Sequence, residues 1–64
     1  MSVADLKRHG YAYEIKAYGT HSKYPGEILQ LFDGVERNKK DAERTRRRLM
    51  KQQGIMRVQV TKMR

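Results

Sequence analysis

Between Glu36 and Lys51 the chain carries eight cations: Arg37, Lys39, Lys40, Arg44, Arg46, Arg47, Arg48 and Lys51. Only three acids, Glu36, Asp41 and Glu43, share that stretch, so a quarter of the chain holds more than half of the net charge of +8. Cations gathered in this way bind phosphate backbones, because each one that neutralises a phosphate releases a counterion. Lys40, Arg44, Arg46, Arg47, Arg48 and Lys51 are therefore the first candidates for contact with nucleic acid. A solvated helix face made of good helix formers has the same composition, and it is the plain alternative. The run Arg44 to Arg48 also has the look of a nuclear-localisation stretch, a pattern too common to decide anything.

A second set of residues suits an exposed sheet face. Arg57 and Gln59 can read base edges, Lys16 can hold a phosphate, and Tyr18 can stack an unpaired base. The segment His21-Ser22-Lys23-Tyr24 offers a smaller set that could touch a phosphate from a loop tip. Nothing in the chain announces catalysis. His9 and His21 are the only histidines and there is no cysteine, so no metal-ligand spacing occurs. G-x-S-x-G, the P-loop and G-x-G-x-x-G are absent, and the seven acids form no recognisable pair for acid–base work. The expectation is a protein that is not an enzyme and carries neither metal nor cofactor.

These groups must be positioned by very few elements. Tyr11 to Tyr18 alternates apolar and polar residues with period two, the pattern of a half-buried strand. GTHSKYPG follows, and its length points to an extended hairpin loop in preference to a two-residue turn. Glu27 to Phe32 reads as a second strand ended by the turn dipeptide Asp33-Gly34. Its apolar residues fall on both faces, which a doubly covered strand, a bulge or a partner-facing surface would each explain. Asn38 is placed to cap a helix from Lys39 to about Gln53, with Asp41 three residues on and Gly54 as the stop. Glu36–Lys40 and Glu43–Arg47 have the spacing of supporting pairs. The apolar stripe is Ala42, Thr45, Leu49 and Met50, with Gln53 at its end. A last strand, Ile55 to Lys62, sets Met56, Val58 and Val60 against Arg57, Gln59 and Thr61.

The expected fold is α+β in the order ββαβ: a three-stranded antiparallel sheet, spatial order 2-1-3, with one helix packed on one face. The helix should cover Tyr11, Tyr13, Ile15, Val58 and Val60. Residues 1–64 make a single small domain, with 1–9 expected to be a loosely ordered N-terminal segment. So thin a core leaves no room for a deep substrate pocket. No apolar run approaches the length of a membrane span and no apolar leader stands at the N-terminus, so a soluble cytoplasmic protein is expected.

The functional expectation is a small basic nucleic-acid-binding protein, DNA before RNA and duplex DNA first, acting through the cationic helix, the open sheet face or both. The alternative is a compact protein–protein interaction module or inhibitor, phage-encoded viral ones included, that docks on an acidic protein surface. Tyr18, Tyr24, Leu29 and Phe32 would then form an apolar anchor ringed by charge. A homodimer is compatible with either.

Overall fold

The computed structural model describes residues 2–63. The chain forms α1 (Val3–Arg8), β1 (Tyr13–His21), β2 (Tyr24–Glu36), α2 (Lys39–Met50) and β3 (Ile55–Lys62). The strands make one open antiparallel sheet in the order β2-β1-β3, and α2 packs on one face of it, mainly over β3 and β1. The result is a slab of about 39 × 23 × 13 Å. One face of the sheet is covered and the other is bare.

Period-two alternation in β1 sends Ile15 and Ala17 to the helix side, where both are fully buried. From α2, Ala42, Thr45 and Leu49 meet them at the three- and four-residue spacing of one helix face. Tyr13, Phe32, Ile55, Val58 and Val60 close the rim of this core. Thr45 is buried without cost because its hydroxyl donates to the Glu36 carboxylate at 2.8 Å. At the start of α2 the Asn38 side chain accepts the Asp41 N–H at 2.8 Å, as its capping position requires.

Several sequence expectations change. The segment GTHSKYPG is not an extended loop: His21 pairs with Tyr24 across a tight Ser22-Lys23 turn. The surplus length is absorbed inside β2, whose register slips between Gly19 and His21 around Pro25, Gly26 and Glu27. Asp33-Gly34 makes no turn either. Gly34 lies opposite Ile15 within β2, and the Phe32 ring sits over it where a side chain would otherwise be. A second slip, at Leu31, accounts for the apolar residues on both faces of this strand. α2 ends at Met50, and Lys51 to Gly54 form the turn into β3, with Gly54 at φ +92°. Met50, half exposed, and Gln53 therefore leave the apolar stripe. Glu36 belongs to β2 and bonds Thr45, not Lys40, while Glu43 engages Arg46 in preference to Arg47.

Val3–Arg8 is an element that the sequence reading did not assign. Ser2 and Asp5 cap it reciprocally, side chain to backbone in both directions. Tyr11 lies outside β1, beneath the Arg37 guanidinium, which is 4.5 Å from the ring centroid. Arg37 also donates to the His9 carbonyl, so it ties the α1 segment to the β2–α2 junction.

Candidate nucleic-acid interface

On a helix of 3.6 residues per turn, Lys40, Arg44, Arg47, Arg48 and Lys51 fall within an arc of about 100°. The centre of that arc lies about 150° from the mean direction of Ala42, Thr45 and Leu49. The stripe therefore points away from the sheet, and all five residues are exposed. Arg44 reaches Asp41 only at 4.0 Å, with its side chain 74% exposed. Lys40, Arg47, Arg48 and Lys51 have no acidic partner among the described residues. From Lys40 to Lys51 the stripe runs about 16 Å.

Arg46 differs from these five. Its guanidinium grips the Glu43 carboxylate at 3.0 and 3.1 Å, and this bonding holds Glu43 below the usual carboxylate range. Its charge is already matched, so Arg46 is a brace for α2 beside the stripe.

The stripe works against the stability of the helix that bears it. Lys40–Arg44, Arg44–Arg48 and Arg47–Lys51 are like-charged pairs at i,i+4, each costing roughly 0.2–0.5 kcal/mol. Lys39 and Lys40 stand in the first turn, where the helix dipole disfavours cations. Arg47, Arg48 and Lys51 suit the dipole at the other end, so helix stability accounts for part of the pattern only. One consequence is measurable: raising NaCl from about 0.02 to 0.3 M should raise the melting temperature, because screening relieves this repulsion. A melting temperature that falls with salt would show net attraction among the surface charges instead.

The bare face has a different character. Cross-strand register sets Gln30, Tyr18 and Arg57 in one row, Asp33, Lys16 and Gln59 in the next, and Val35, Glu14 and Thr61 in a third. Two acids and two cations cancel there. Glu14 holds Lys16 at 3.3 Å, and that contact keeps the ammonium above the usual lysine range. Arg57 lies over the Tyr18 ring at 4.9 Å. Lys16, Arg57 and Gln59 thus share one surface, opposite to the α2 stripe. No single flat ligand touches both.

The apolar anchor residues are also redistributed. Leu29 lies opposite Gly19 on the helix side and is half-buried, while Phe32 packs on the core. Both are therefore covered on the helix side, where an apolar anchor for a partner would need them exposed. Tyr24 stays exposed at the hairpin end, its ring tilted against His21 at 6.4 Å. In their place, sequence reasoning missed Ile28 and Met56. The Met56 bulge in β3, where Tyr18 faces Arg57 but Gly19 faces Ile55, turns Ile55 to the core and Met56 to the bare face. Tyr18, Ile28, Met56 and Arg57 then line an open hollow of about 310 Å³.

No protein-family model, curated protein or solved structure matches the chain. Among the described residues, no helix is long and apolar enough to cross a membrane.

Proposed function

We propose that this protein binds nucleic acid, duplex DNA first, by laying the outer face of α2 along the phosphate backbone. The observation that carries the reading is the outward stripe of five exposed cations, gathered on one face although their mutual repulsion weakens the helix. A polyanion removes that repulsion on binding and supplies the counterions' replacement. Lys40, Arg44, Arg47, Arg48 and Lys51 are the phosphate contacts, and contacts of this type carry affinity without reading sequence. Lys16 and Gln59, on the neutral opposite face, take no part in holding the duplex.

The test is to titrate isotope-labelled protein with a short duplex at low salt and follow backbone amide signals. Signals between Asn38 and Gln52 should move first and furthest, while those of Glu14, Lys16, Gln59 and Thr61 stay in place. Movement confined to the bare face would reject the α2 interface. An unchanged spectrum at saturating duplex would reject nucleic-acid binding altogether.

A further inference from the structure

We infer that the hollow between Tyr18, Ile28, Met56 and Arg57 holds an unpaired nucleobase of a single-stranded nucleic acid. The inference rests on the nucleic-acid reading and adds to it a second site and a class of substrate. The hollow is assembled by two departures from regular pairing. The Met56 bulge turns that side chain to the bare face, and the slip at Leu31 sets Gln30 opposite Tyr18, so that Ile28, two residues before Gln30, stands on the same face. Ile28 and Met56 stand 66% and 59% exposed as its side walls. The Tyr18 ring, with the Arg57 guanidinium stacked on it, supplies the polar π surface.

The chemistry of the walls selects the occupant. Two aliphatic walls require an apolar body, and a guanidinium over an aromatic ring favours a flat π face that extends the stack. Arg57, within the wall and without an acidic partner among the described residues, favours an occupant tethered to negative charge. A base on its phosphodiester meets all three requirements. The hollow faces away from the α2 stripe, so a stiff duplex lying on α2 cannot deliver a base to it. A flexible single strand can, with Gln30, opposite Tyr18, beside it to bond a base edge.

The experiment labels the methyl groups of Met56 and Ile28 and titrates the protein with oligothymidylate, then with a duplex of equal length at the same salt. Oligothymidylate should shift both methyl signals, and the duplex should leave them unmoved. Tyr18→Leu should weaken oligothymidylate binding at least fivefold while changing duplex affinity less than twofold. Arg57→Gln should act in the same direction, which keeps the test decisive should Tyr18→Leu fail to fold. If oligothymidylate moves α2 amides and not these methyls, the hollow is no base site and the α2 reading survives. Methyl shifts that track protein concentration alone would assign the hollow to self-association and overturn the inference. Failure of both nucleic acids to bind would remove the inference together with the function it rests on.

Discussion

Arg44→Glu/Arg47→Glu is expected to weaken nucleic-acid binding steeply while leaving the fold about as stable as before. The two substitutions convert the like-charged pairs of the α2 stripe into opposite-charged ones: position 44 then faces Lys40 and Arg48, and position 47 faces Lys51. Each of these i,i+4 relations changes sign, but position 47 then repels Glu43 and position 44 repels Asp41, so the stability read from the urea midpoint should stay within about 0.5 kcal/mol of the parent. Binding should fall instead. Loss of two phosphate contacts lowers the log–log salt slope by about 1.8 and affinity at 0.1 M salt by roughly 60-fold, before the repulsion of the new carboxylates is counted. A variant that is less stable and binds less would point to damage of the fold. One that is as stable as the parent and binds equally well would place the interface elsewhere.

Gly19→Ala is expected to abolish the native fold. Gly19 is buried in β1 where the turn from α2 enters β3, and Thr20 donates its N–H to the Gly54 carbonyl at 3.0 Å. A Cβ on Gly19 would stand 1.9 Å from the Gly54 oxygen, 2.8 Å from its carbonyl carbon and 3.0 Å from the Ile55 Cα. All three are backbone atoms, so no side chain can swing aside. Relief requires the start of β3 to leave β1, which undoes the Gly19–Ile55 pairing and withdraws Ile55 from the core rim. The whole domain has only about 3–10 kcal/mol of stability to lose, by the usual increment per residue. Circular dichroism should therefore show an unfolded or molten chain at 25 °C. A cooperative melt within a few degrees of the parent would contradict this account of the β1–β3 contact.

Much of this architecture is legible in the chain. Asn38 announces the start of α2, and the 3.6-residue period of Ala42, Thr45 and Leu49 fixes its inner face. The same period sorts Lys40, Arg44, Arg47, Arg48 and Lys51 outward, so the cationic stripe can be read directly. The alternation of β1 and of Val58 and Val60 marks the covered face, and a right-handed crossover through α2 gives the order 2-1-3. What escapes is register. Asp33-Gly34 carries a strong turn signal, but the Phe32 ring uses the bare glycine as a packing site and the strand runs on. Ser22-Lys23 has none of the usual marks of a two-residue turn, and length alone suggested a loop. The slips at Leu31 and Met56 each move a side chain to the opposite face. Strict alternation therefore placed Met56 in the core and gave no sign of the hollow beside Tyr18. Such slips answer to contacts made by neighbouring strands, and these lie far away in the sequence. Arg46 shows a related limit, since composition counts it with the stripe and geometry pairs it with Glu43.

The central claim is that five outward cations, four on α2 and Lys51 at its C-cap, meet phosphates, and the salt dependence of duplex binding measures their number. Affinity for one short duplex, determined between about 0.05 and 0.3 M NaCl, should fall linearly on logarithmic axes with a slope of about −4.5. A slope near zero, or no binding at the lowest salt, would mean that these side chains neutralise no phosphates, and the account would fail.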